Sequence, residues 1–160
     1  MFWLDIVSRV VHVGTAVTLV GGSVFMLCVL MPAVGTLSAE SREALHAAVV
    51  GRWKRFVHGG VLLFLASGFY NYFRAIPNHR GDGLYHALIG TKMILALGIF
   101  FLAAALVGRS SKLAPIRANR KKWLGVLVLL AAIIVAISGA VKIRGIPVAS
   151  VAETNVIASP

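Results

Sequence analysis

The stretch WLGVLVLLAAIIVAISGAV, residues 123–141, decides the fold. It contains no Asp, Glu, Lys, Arg or His. At about 1.5 Å of rise per helical residue, a run of this length crosses roughly 30 Å of hydrocarbon. An amphipathic helix of a soluble domain keeps a polar face, and this segment has none. Three more apolar stretches precede it, at about 3–31, 56–73 and 84–107. Overall, 59% of the chain is hydrophobic and 13% charged, against roughly 25% charged in soluble domains. The expected fold is all-α: an integral membrane four-helix bundle over residues 1–144, then an irregular tail over 145–160 containing Pro147 and Pro160.

The connectors carry the punctuation. Pro32 and Gly35 close the first span. Ser38 caps a short amphipathic helix that has Glu40 in its first turn and reaches Gly51. Arg52, Lys54 and Arg55 lead into the second span, and residues 74–83, with Pro77, Asn78, Gly81 and Gly83, read as a loop. A basic connector over 109–122 precedes the fourth span. The first span is too long for a signal-peptide core of roughly 7–15 residues and reads as retained.

The formal charge of +11 would point to nucleic acid in a soluble protein. Here no basic face is interleaved with aromatics, as single-strand binding needs, and nucleic acid is excluded as a partner. The first and third connectors hold ten cations: Arg42, Arg52, Lys54, Arg55, Arg109, Lys112, Arg117, Arg120, Lys121 and Lys122. The opposite side holds Arg74, Arg80, Lys142 and Arg144. The positive-inside bias then places both termini on the outer, periplasmic side of a bacterial-type inner membrane, in a multi-pass topology. Trp3, Trp53, Tyr72, Tyr85 and Trp123 lie near span ends as interface anchors. The single cysteine, Cys28, has no partner for an internal disulfide.

An ionisable side chain within a span is costly and marks a candidate site. Asp5, Arg9 and His12 are spaced i, i+4, i+7, flanked on one face by Ser8 and Thr15. Asp5 and Arg9 read as a snorkelling pair. His12, deeper in, is either a ligand or proton carrier or a passively packed ring. Lys92, in the third span, lies at nearly the same depth; either an anion, such as a heme propionate, or a carbonyl beside it stabilises its charge, or desolvation leaves it neutral. His58 opens the second span next to Gly59 and Gly60, a spacing that admits a macrocycle or a neighbouring helix. Neutral imidazole ligates heme iron or copper, so His12 and His58 are the candidate metal ligands. His86 is a further cofactor candidate, while His46 and His79 read as solvated. Ser67 and Asn71 form an i, i+4 polar pair suited to joining helices. Met26, Cys28 and Met31 supply soft sulfur, which suits monovalent copper. Ala132, Ala136 and Ala140 form a close-packing stripe on the fourth span.

The runs RWKRFVHGGVLLFLASGFYNYF (52–73) and YHALIGTKMILALGIFFLAAAL (85–106) resemble the core of the copper-resistance D (CopD) family. His12 followed by Gly22 in the first span is similar both to that family and to HemJ-type protoporphyrinogen oxidases. The resemblance covers about residues 1–110. It implies a heme-associated membrane protein that depends on a first-span histidine and a later-span lysine, which fall on His12 and Lys92.

Three functions follow as expectations. The first is a heme-associated or redox-linked membrane protein holding heme b through His12, Lys92, His58 and His86. The second is copper uptake or resistance. The third is a non-catalytic accessory subunit packed against other membrane subunits or further copies of itself. No G-x-G-x-x-G, Walker or H-E-x-x-H pattern is present, and no nucleophile is paired with a base, so enzymatic status is open.

Overall fold

The computed structural model describes residues 1–145, and among these every regular element is helical. The irregular tail expected beyond Gly145 lies outside the described residues. Helix α1 spans Phe2–Phe25 and continues through a π-helical turn, Met26–Leu30, into α2, Met31–Val34. The π turn sits just ahead of Pro32, whose missing N–H breaks the regular ladder; the N–H of Met31 reaches back to the Met26 carbonyl instead. Helix α3 spans Ala39–Ala75, α4 Gly83–Val107, α5 Ala114–Ala118 and α6 Arg120–Arg144.

Two boundaries differ from expectation. The amphipathic helix and the second span are one continuous helix, α3, of 37 residues. Gly51 costs about 1 kcal/mol in a helix interior, which is too little to break a helix with no proline between its Ser38 cap and Ala75. The cap itself is present: Ser38 Oγ accepts from the Ser41 N–H at 3.3 Å. The segment expected as a loop is mostly ordered too, with a 3-10 turn at Ile76–His79 and the chain reversing at Gly81, where φ is +77°.

Three helical stretches are long and apolar enough to cross a membrane: Phe2–Val34, Gly83–Val107 and Arg120–Arg144. Helix α3 is longer than any of these but more dilute, since His58, Gly59, Gly60, Ser67, Gly68 and Asn71 interrupt its apolar run. Several of those positions are where α3 meets α1. The two helices run antiparallel in one register, with Asp5 against Arg74, His12 against Ser67 and Leu19 against Gly60. Glycines make the close approach possible. Leu19 fills the space a side chain at Gly60 would need, and the Trp53 ring occupies the corresponding space at Gly22.

Helices α4 and α6 form a second antiparallel pair, with Asp82 against Arg144 at one end and the Leu106 carbonyl against Arg120 at the other. A buried cluster of Leu102, Leu106, Leu124 and Leu127 fills this pair near the basic end, and Met26 and Leu27 of the π turn and Met31 of α2 pack onto it. The α3–α4 contact joins the two pairs.

Each pair is clasped at the same end by an aspartate that receives both arms of an arginine. Arg74 Nε and Nη2 donate to Asp5 at 2.9 and 3.0 Å, and the Tyr70 hydroxyl adds a bond of 2.9 Å. Arg144 Nη1 and Nη2 donate to Asp82 at 2.9 Å each. Asp82 also caps α4 through the Tyr85 N–H at 3.0 Å. The expected Asp5–Arg9 pair therefore does not form. A bidentate arginine and a tyrosine from α3 give Asp5 better partners than one exposed arginine on its own helix.

Candidate functional site

His12 projects from α1 towards α3, where its Nδ1 lies 3.0 Å from Ser67 Oγ. Residue 68 is glycine, and a Cβ there would sit 3.2 Å from the ring's Cε1. Phe64, one turn earlier on α3, packs on the imidazole with ring centroids 4.1 Å apart. Phe100 of α4 meets Phe64 edge-on at 5.7 Å. Ser8, one turn before His12, donates to the Ser67 carbonyl at 3.3 Å. The polar face read from Asp5, Ser8 and His12 is thus the α3-facing side of α1.

The hydrogen bonds fix which nitrogen of His12 is available. Ser67 Oγ lies 2.6 Å from the Leu63 carbonyl and 3.4 Å from that of Phe64. A hydroxyl has one proton, and the shorter bond back to Leu63 uses it. Oγ then offers His12 a lone pair, so Nδ1 is the donor. In the neutral ring the free lone pair is on Nε2. Histidines that bind metals are held in this way, one nitrogen tied to a protein acceptor and the other free.

Lys92 on α4 is half-buried and close enough to His12 for its charge to act on the ring. His12 lies about 15 Å along α1 from Phe2 and Lys92 about 14 Å along α4 from Gly83, so depth and position agree. Among the described residues Lys92 makes no salt bridge. The described carboxylates are elsewhere. Asp5 and Asp82 are clasped by arginines, and Glu40 and Glu43 are exposed at the start of α3.

His58 and His86 do not join this site. His58 is exposed, and its Nδ1 bonds back to the Lys54 carbonyl of its own helix at 2.7 Å. His86 is also exposed, with Nε2 bonded to the His79 carbonyl at 3.1 Å. His46 and His58, a conceivable ligand pair near the basic end, sit on one unbroken helix about 18 Å apart along its axis, too far to share a metal. His46 instead accepts from Arg120. Burial, and then the charge of Arg120, push the His46 pKa below its ordinary value and keep the ring neutral and able to accept.

His79 is not a solvated loop residue. It stacks on Tyr85 with ring centroids 3.6 Å apart and stands 3.8 Å from Asp82. Hydrogen bonds from Arg144 above all hold the Asp82 carboxyl below the usual carboxylate range, with the Tyr85 N–H and His79 acting the same way. The sulfur residues do not converge either: Met26 and Met31 pack into the α4–α6 core, whereas Cys28 is exposed. Among the described residues no group of three or more His, Cys, Asp or Glu side chains is placed to hold a metal ion.

No family model, curated protein or solved structure matches this chain.

The chemistry of the site follows from its atoms. The site offers one imidazole nitrogen, with Phe64 packed on the ring and Phe100 meeting Phe64 edge-on, and Lys92 stands near enough for its charge to reach the imidazole. An imidazole nitrogen can ligate a metal, and a lysine beside it can meet an anion. Sequence reasoning had singled out Ser67 but assigned it to helix joining. Its bond to His12 depends on the α1–α3 register, which no local pattern encodes.

Proposed function

We propose that the chain is a four-span protein of a bacterial-type inner membrane, with both termini outside, that holds a heme between α1, α3 and α4. The antiparallel register of α1 and α3 supports four spans, because a helix running alongside α1 from Trp53 to Arg74 crosses whatever α1 crosses. The cation count supports the orientation, and the two arginine clasps further reduce the free charge at the outer end. His12 Nε2 is the protein's ligand to the iron, Ser67 orients the ring, and Lys92 meets a propionate. The bound heme would supply one-electron chemistry. The observation that carries the reading is the Ser67-tied His12 at the same depth as a lysine that, among the described residues, has no carboxylate beside it. A charged ammonium at that depth costs several kcal/mol unless an anion meets it. The likeness to the CopD and HemJ-type families points the same way.

The test is an absorption spectrum of the detergent-purified protein, oxidised and then reduced with dithionite. We expect a Soret band with sharp α and β bands on reduction. His12→Ala abolishes them, Lys92→Met lowers the heme retained without moving the band positions, and His58→Ala and His86→Ala leave the spectrum in place. A featureless spectrum at full protein concentration overturns the heme reading and leaves copper uptake or an accessory role, which metal analysis separates.

A further inference from the structure

The basic end of the bundle carries an open groove of about 670 Å³ that the proposed heme site does not use. Its floor is apolar: Leu27 and Met31 from the π turn and α2, and Gly125 from α6. Its rim is Arg120, Lys121 and Lys122 at the start of α6. Among the described residues no carboxylate lines it. Arg120 is anchored by bonds to the Leu106 carbonyl and His46, so its charge stays at the groove's edge. Lys121 and Lys122 are exposed and make no salt bridge among the described residues. Lys122 lies over the Trp123 ring at 5.9 Å, and a tryptophan at a helix end marks the headgroup level. The start of α6 has no side-chain cap, so its first backbone N–H groups also face this region.

We propose that this groove is a docking site for an acidic phospholipid, with the phosphate at Lys121 and Lys122 and an acyl chain along Leu27, Met31 and Gly125. Charge complementarity selects the occupant. A rim of three cations with no anion among the described lining residues wants a phosphate, and an apolar floor running into the hydrocarbon layer wants the chain attached to it. A soluble anion would leave that floor unfilled. General attraction between basic loops and anionic lipid is diffuse, whereas this groove requires both its charge and its shape.

The test is native mass spectrometry of the full chain, purified in mild detergent and equilibrated with mixed micelles of dioleoylphosphatidylglycerol and dioleoylphosphatidylcholine in equal amounts. We expect selective retention of phosphatidylglycerol. Lys121→Gln with Lys122→Gln lowers it roughly 30-fold, taking each near-surface cation at its usual worth. Gly125→Leu lowers retention without changing any charge. A Cβ at residue 125 meets nothing within 4 Å, so the new side chain starts from open space in the groove, and an unchanged circular-dichroism spectrum checks that the variant is folded. Arg109→Gln with Lys112→Gln, which removes the same charge from the same connector outside the groove, leaves retention unchanged. Equal retention of the two lipids overturns the proposal, as does equal loss in the Arg109/Lys112 variant. Displacement of the lipid by excess inorganic phosphate also overturns it, since the acyl chain would then contribute nothing.

Discussion

At the scale of single residues, depth along a helix was legible and the partner across it was not. A fixed rise per residue places His12 and Lys92 at matching depth once both helices are known to start from the same end. Rotational register is different, because it depends on which face each helix turns to its neighbour. Asp5 shows the consequence: the i, i+4 spacing makes an Arg9 pair available, but Arg74 and Tyr70 arrive from α3 with better geometry. Ser67 is the same case in reverse, a residue noticed for its polarity whose role appears only in the register. Its role can be measured. Ser67→Ala removes the acceptor for His12 Nδ1–H, and loss of such an orienting partner costs 10- to 100-fold in ligand affinity. We expect that loss in heme titrations, together with a shift in the His12 ring nitrogen NMR signals as the tautomers mix. Ser67→Thr, which keeps the hydroxyl, restores both. Unchanged ring signals in Ser67→Ala would show that the hydroxyl does not set the tautomer.

At the scale of elements, the apolar runs predicted where helices are, and small residues hid how they pair. The segment of α3 that looked weakest by hydropathy is the one with a neighbour along most of its length. The polarity of His58 and Ser67 and the glycines at 60 and 68 dilute the run, yet two of those glycines let α1 approach. The break expected near Gly51 failed for an energetic reason: one interior glycine weakens a helix without ending it. Ala132, Ala136 and Ala140 are all exposed on α6, so their stripe is not covered by another described helix of this chain. The glycines that matter are on α1 and α3 instead. Gly22→Ala places a methyl group where the Trp53 ring lies, and overpacking of this kind costs about 1–3 kcal/mol. Gly60→Ala presses on the flexible end of Leu19 and costs less. Gly14→Ala and Gly21→Ala meet nothing within 4 Å and are neutral or slightly stabilising through helix propensity. Thermal unfolding in detergent, followed by circular dichroism, ranks the four variants. If Gly22→Ala proves as stable as Gly14→Ala, Trp53 does not pack on α1 as described.

At the scale of the whole molecule, the apolar runs made a helical membrane protein evident, while the arrangement into two clasped antiparallel pairs was not legible. The clasps join residues 69 and 62 positions apart, and nothing in the local sequence marks Arg74 for Asp5 or Arg144 for Asp82. They nonetheless bear on topology. Each clasp puts the start of one helix beside the end of its partner, at the end of the bundle remote from the ten connector cations. If α1 crosses the bilayer, Arg74 is carried to the side where Asp5 emerges. A version in which α3 lies flat on the membrane surface would tear Asp5 from Arg74, His12 from Ser67 and Leu19 from Gly60 together. Single cysteines in a Cys28→Ser background test this directly, at the exposed positions Thr36, Arg80 and Lys112. A membrane-impermeant maleimide applied to intact cells is expected to label Arg80→Cys alone, with Thr36→Cys and Lys112→Cys reacting only after the cells are opened. Labelling of Thr36→Cys and Lys112→Cys but not Arg80→Cys would keep the four spans and invert the orientation. Labelling of Thr36→Cys together with Arg80→Cys would place both ends of α3 on one side, and the four-span reading, with the shared depth of His12 and Lys92 in the bilayer, would fall.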